Sequence, residues 1–325
     1  MGKRCVSDMK HSWVRRTLVA GGAVVLLTVA GATRAADLPV DAVEVPPSTS
    51  STDQQAAALA RSGGGEALRL LAQRWVRSLP RSANAWFYHG LVAEMSGSKS
   101  WAVDDYRHAL ELAPGLGAAS YALGRTLASM DKYNAAVEPL RLASAAYPQN
   151  SRIWADYGAA LGELGRYQDA ANALQRSVRL DPGNGNHAGE LADLYAALKD
   201  YAHAVPLYRQ ASRKTPADAA NFAWLGNLGQ VYELMGDYRS SVATLQQALR
   251  YAPNDSSLWS CLWVDYVKLG NAAEAAHAKA TLARLDAPRK DGMSRAAADV
   301  LATAKQQHEA YLRTRGELSA REHLP

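Results

Sequence analysis

Residues 151–184 read SRIWADYGAALGELGRYQDAANALQRSVRLDPGN, and this stretch decides the fold. Trp154, Tyr157, Gly158 and Leu161 recur at i, i+3, i+4 and i+7, so they share one face of a first helix. Gly165 breaks that helix and Tyr167 opens a second, on which Ala170, Leu174 and Ser177 share a face. Pro182 ends the segment, because a proline disfavours the helical conformation in the residue before it. The stretch is therefore a helix, a turn and a helix.

The same pattern stands on both sides of it. Pro80, Pro114, Pro148, Pro182 and Pro216 are each 34 residues apart, and Pro253 follows after 37. On that grid six units are legible: 83–116, 117–150, 151–184, 185–218, 222–255 and 256–289. The eighth residue is small, where the two helices of a unit cross: Gly90, Gly124, Gly158, Ala192 and Gly229. The twentieth is Ala102, Ala136, Ala170, Ala204, Ser241 and Ala275, and the twenty-seventh is Ala109, Ala143, Ser177, Ala211 and Ala248. Trp86, Trp154, Leu161, Tyr195, Tyr232, Tyr106, Tyr208 and Leu245 fill the space between, an alternation of small and large that packs helices without voids.

The period and the helix–turn–helix unit resemble the tetratricopeptide repeat family over roughly residues 83–287. The resemblance implies an all-α fold, an α-solenoid in which the units wind into a right-handed superhelix. It also implies a concave groove, lined by the first helices, that binds extended or helical segments of partner proteins.

Two departures from the grid are informative. Asn221 and its neighbours add three residues before the unit at 222, which predicts a longer inter-unit turn. The last unit carries Trp263 and Leu282 where small residues belong, as a distorted or terminal repeat would.

The ends of the chain read differently. Lys3, Arg4, Lys10, Arg15 and Arg16 precede an apolar run from Leu18 to Ala32, followed by small residues around Ala35. That order is a secretory signal peptide, residues 1–35, cut most naturally after Ala35. Val14-Arg15-Arg16-Thr17-Leu18-Val19 also has the look of a twin-arginine signal. The expected location is the periplasm or the exterior. The alternative is an inner-membrane anchor at 17–32, although the run is short against the ~20 residues of a spanning helix.

The leader holds six of the 36 Lys/Arg and one of the 31 Asp/Glu, so thirty of each remain and the formal charge of +5 vanishes. The precursor's basicity is thus no argument for nucleic acid. Cys5 leaves with the leader and Cys261 remains alone, which excludes an internal disulfide.

Residues 36–52, with Pro46-Pro47 and a Ser/Thr run, read as a flexible linker. Residues 53–82 are a degenerate helical pair split by Gly63-Gly64-Gly65, followed by the array at 83–289. In 290–325, Ser294 can cap a last helix over about 295–314. Its apolar face (Ala297, Val300, Leu301, Ala304, Tyr311 and Leu312) would close the end of the solenoid.

The chain contains no His-Glu-x-x-His, Cys-x-x-Cys, Walker loop or Gly-x-Ser-x-Gly. Gly183-Asn184-Gly185 lies between helices with no strand before it, so it is a turn and not a dinucleotide loop. His89, His108, His187, His203 and His277 are scattered without ligand spacing. The expectation is a chain with no catalytic residues, cofactor or metal.

If the eighth residue faces the second helix, the second, fifth, ninth and twelfth form the groove stripe. That stripe selects Phe87, Leu91, Tyr121, Arg125, Arg152, Asp193 and Gln230 as partner-contact residues, with Asn84, Glu94, Asn186 and Glu233 in the same rows and Asp156 and Glu190 beside them. The Lys and Asn with which some family members hold carboxyl-terminal chaperone tails are missing, since Phe87, Leu91, Tyr121, Arg125, Ala155 and Ala159 occupy those places.

The functional expectation is a non-catalytic adaptor or scaffold of the bacterial cell envelope. It would bind a protein partner, in a complex that can associate with the membrane, without inserting the mature chain into the bilayer. The alternative is an accessory regulatory subunit of an envelope polysaccharide synthesis, export or secretion complex.

Overall fold

The computed structural model describes residues 51–214 and 219–286. Among them are fourteen α-helices and no strand. They are α1 Ser51–Arg61, α2 Gly65–Ser78, α3 Ala83–Met95, α4 Lys99–Leu112, α5 Gly117–Ala128, α6 Tyr133–Ala146 and α7 Ser151–Glu163. They continue with α8 Tyr167–Leu180, α9 Gly185–Ala197, α10 Tyr201–Lys214, α11 Ala219–Leu234, α12 Tyr238–Leu249, α13 Ser256–Leu269 and α14 Ala272–Asp286. They fall into two compact units, α1–α10 and α11–α14, divided between Thr215 and Pro216.

Local chemistry sets each boundary. Several first helices begin at a side chain that accepts a backbone N–H left over in the first turn: Ser82 from Ala85, Asn150 from Ile153, Asn184 from Asn186, and Asp255 from Ser257 and Leu258. The turn to the second helix puts the fifteenth residue of every unit in the left-handed region: Gly97, Asp131, Gly165, Lys199, Gly236 and Gly270. Gly63 has the same conformation, 34 residues before Gly97. The pair α1–α2 is therefore built on the same grid as the rest. Its first helix starts at Ser51, two residues inside the stretch read as linker.

Packing follows the small-against-large pattern. A Cβ built on Gly90, Gly124, Gly158 or Gly229 would stand 2.8, 2.6, 2.7 or 2.6 Å from Tyr106, Leu140, Leu174 or Leu245 respectively, all on the second helix of the same pair. Ala102, Ala136, Ala170, Ala204 and Ser241 are sealed from solvent, as are Ala109, Ala143, Ser177, Ala211 and Ala248. Within α1–α10 each helix packs on the next, and in addition α3 touches α5, α5 touches α7 and α7 touches α9. The first helices thus form a continuous layer. In α11–α14, α13 packs on α11, α12 and α14 around Leu245, Leu258, Cys261 and Leu262. Cys261 is buried and forms no disulfide among the described residues.

A recurrent clasp ties the units together. Trp86, Trp154 and Trp259 each donate the indole N–H to the carbonyl of the proline six residues earlier, Pro80, Pro148 and Pro253, at 2.7, 3.1 and 2.8 Å. Arg176 donates to the same Pro148 carbonyl at 3.2 Å while its guanidinium lies 4.9 Å from the Trp154 ring centre.

The three inserted residues behave differently from the expectation of a longer turn. They are taken up by α11, which begins at Ala219 and runs for 16 residues. Ala219 and Ala220 favour helix, so the extra residues extend it at the N-terminal end. Trp263 is accommodated half-buried against the C-terminal core, with the Lys279 ammonium 6.0 Å from its ring centre. No described helix is long and apolar enough to cross a membrane. The leader at 1–35, most of the linker and the helix expected at 295–314 lie outside the described residues.

Candidate functional site

The layer of first helices in α1–α10 carries a row of polar side chains bonded from one helix to the next. Asn84 on α3 donates to Asp53 on α1 at 3.0 Å. Arg125 on α5 donates to Glu94 on α3 at 2.5 Å. The Tyr121 hydroxyl on α5 donates to Asp156 on α7 at 2.6 Å. Second helices reach the same layer: Tyr106 donates to Glu94 at 2.9 Å and Tyr208 to Asp193 at 2.5 Å.

These bonds fix which sequence-selected residues face outward. Arg125 and Glu94 keep 18 % and 16 % of their side chains exposed. Arg152, Asp193, Asp156 and Glu190 are half-buried on the same layer. Gln230 is half-buried on α11, in the C-terminal unit.

Phe87, Leu91 and Tyr121 require correction, because all three have no exposed surface. Phe87 lies edge-on to Tyr88 at 5.0 Å and 6.0 Å from the Tyr106 ring. A first helix here is covered by its own second helix, by the preceding second helix and by first helices alongside. Its buried arc is therefore wider than one stripe, and it swallows the fifth and ninth residues of the early units. Tyr121 keeps a structural role through its hydroxyl.

The electrostatics agree with a layer that is partly closed. Burial, and then the adjoining carboxylates Glu94 and Asp156, push the Tyr106 and Tyr121 hydroxyls well above the usual phenol range. Burial holds His187 below the ordinary histidine value, with Arg152 adding to the effect and Asp181 and Asp156 opposing it. Among the described residues no three His, Cys, Asp or Glu side chains stand together in a way that could hold a metal ion. His89, His108 and His203 instead pair with Asp105, Glu111 and Asp200.

Of these cross-helix partners the sequence stripes contain Asn84, Glu94, Tyr121 and Arg125, with Asp156 beside them, whereas Asp53 lies outside them. Their signal is a separation of 31 residues, shared by Asp53–Asn84 and Glu94–Arg125, which marks contact between consecutive first helices.

Sequence profiles of the tetratricopeptide repeat match residues 121–185, 158–219 and 197–262. Residues 121–262 are tetratricopeptide repeats. Among curated proteins none matches it by sequence. Among solved structures, this repeat array is similar to pilF of Pseudomonas aeruginosa, with 20 % identity over 74 % of this chain and 100 % of that one and a TM-score of 0.53. It is similar to the Cut9–Hcn1 hetero-tetramer of APC/C, with 19 % identity over 78 % and 50 % and a TM-score of 0.52. It is also similar to YrrB, described as a TPR protein with an unusual peptide-binding site, with 17 % identity over 64 % and 97 % and a TM-score of 0.50. At these identities the likeness establishes the fold alone, an all-α solenoid of tetratricopeptide repeats.

Proposed function

We propose that this chain is a non-catalytic scaffold of the bacterial cell envelope that holds a segment of a partner protein against the first-helix layer α3–α5–α7–α9. The observation that carries the reading is the set of half-buried charges on that layer: Glu94, Arg125, Arg152, Asp156, Glu190 and Asp193. Partly desolvated charges held in place by neighbouring helices lose little further freedom on binding, so they discriminate between partners by sign and register. A set of mixed sign suits a partner segment that carries both charges, and it does not suit nucleic acid. Peptide binding by the similar YrrB supports the protein-partner reading. The leader-like residues 1–35 support export.

The test uses the chain from Ala36 as bait and an Arg152→Glu, Asp193→Lys double variant as control. A protein retained from an envelope extract by the wild type, and lost by a variant with unchanged circular dichroism, is the expected result. Equal retention by both rules out this layer as the contact surface. For location, N-terminal sequencing of the expressed full chain is expected to begin at Ala36 in the periplasmic fraction. An intact Met1 terminus in the cytosol overturns the envelope assignment.

A further inference from the structure

The tenth residue of the unit, on its first helix, is Val92, Thr126, Ala160, Leu194, Val231 and Asp265 in the six units from 83 onward. Five are apolar or a small hydroxyl, and the sixth is an acid. Asp265 on α13 has no exposed surface, and neither of its carboxyl oxygens has a hydrogen-bond partner. Ser241 on α12 favours the ionised form, yet its own buried hydroxyl completes no hydrogen bond.

The charges around Asp265 do not compensate it. From α11 comes Glu233, a second carboxylate, itself pushed above its ordinary value by burial. Lys268, on the same helix as Asp265, acts on Glu233. From α14, Lys279 lies over the Trp263 ring and His277 against Trp259. An uncompensated charge sealed among α11, α12 and α13 is costly, whereas a neutral carboxylic acid is tolerable there.

We propose that Asp265 is a pH-operated latch within the C-terminal unit: with its acid neutral, α13 stays seated on α11 and α12, and with its acid ionised the pair α13–α14 opens so that the carboxylate reaches water. Burial first, and then Glu233, push the Asp265 carboxyl up to about 7. The sign follows from linkage. The opened form releases its proton near the ordinary aspartate value of about 4, and the closed form does so only near neutrality. Opening is therefore suppressed in acid, grows as pH rises between those two values, and levels off above neutrality.

The experiment is amide hydrogen exchange on the full chain, read as protection factors of α13 against those of α9 as internal reference. In the wild type the opening constant of α13 is expected to rise by up to about tenfold per pH unit, and by about 50-fold between about pH 5 and pH 7, where the closed form begins to ionise. In Asp265→Asn, which keeps the shape of the neutral acid, it is expected to be flat. Equal pH dependence in the two proteins, or wild-type protection unchanged from pH 5 to 8.5, overturns the latch. Glu233→Gln gives an independent reading, since removing the neighbouring carboxylate must move the wild-type transition to lower pH. A transition that stays in place overturns the proposed environment of Asp265.

Discussion

A Cβ on Gly158 would stand 2.7 Å from the Cγ of Leu174 and 3.2 Å from the Ala170 carbonyl, so the two helices of this pair touch where only a hydrogen atom fits. The backbone carbonyl cannot swing away as a flexible side chain can. Gly158→Val is therefore expected to overpack the crossing and cost about 1–3 kcal/mol. Urea unfolding of the variant and the wild type measures it, and an unchanged midpoint would mean that α7 and α8 do not meet at this register.

That crossing was legible in the sequence because exclusion of side-chain volume leaves a mark every 34 residues, at Gly90, Gly124, Gly158 and Ala192. The functional face was less so. Whether Phe87 and Tyr121 meet solvent depends on how closely neighbouring first helices approach, which is a tertiary quantity that a single helix's periodicity does not contain. The added residues at 219–221 were seen, but whether they join a turn or a helix is settled by local propensity and the following packing. The pair α1–α2 looked degenerate because Leu68 and Trp75 occupy places that are small elsewhere, while Gly63 keeps the turn on the grid.

The Glu94 carboxylate is shared by Arg125 and Tyr106, on two other helices, at 2.5 and 2.9 Å. Arg125→Ala leaves a largely buried carboxylate short of its charged donor and is expected to cost about 1.5–3 kcal/mol. Glu94→Ala and Arg125→Ala together should cost less than the sum of the single changes, by roughly 0.5–3 kcal/mol, because the second change removes a partner already lost. Chemical denaturation of the four proteins in the cycle measures the coupling. Strict additivity would show that the pair contributes no net interaction to the array.

His89 and Asp105 give a second, separate pH dependence. The Asp105 carboxylate, 2.7 Å from Nδ1, holds the His89 imidazolium above the ordinary histidine value in spite of burial. A raised folded pKa contributes stability that is fully present below the unfolded value of about 6.5 and is lost as pH rises through the folded one. His89→Gln should therefore narrow the gap in melting temperature between about pH 6 and pH 8. A gap that is identical in the variant would show that the imidazole does not hold its proton more tightly when folded.

Lys199 sits at φ 62°, in the place where Gly97, Gly165, Gly236 and Gly270 make the same turn at no steric cost. Its Cβ crowds the following carbonyl in that conformation, a strain of about 1–2 kcal/mol for an L residue. Part of the gain from relieving it is offset, because glycine leaves the unfolded chain freer. Lys199 is exposed, so its side chain contributes little packing to set against the substitution. Lys199→Gly is accordingly expected to raise stability by roughly 0.5–1 kcal/mol. Gly165→Ala, which imposes the same strain on a unit that lacks it, should lower stability by a comparable amount. Thermal unfolding of the two variants beside the wild type measures both. If both substitutions lowered the melting temperature, the Lys199 side chain would be holding the turn through contacts that outweigh its backbone strain.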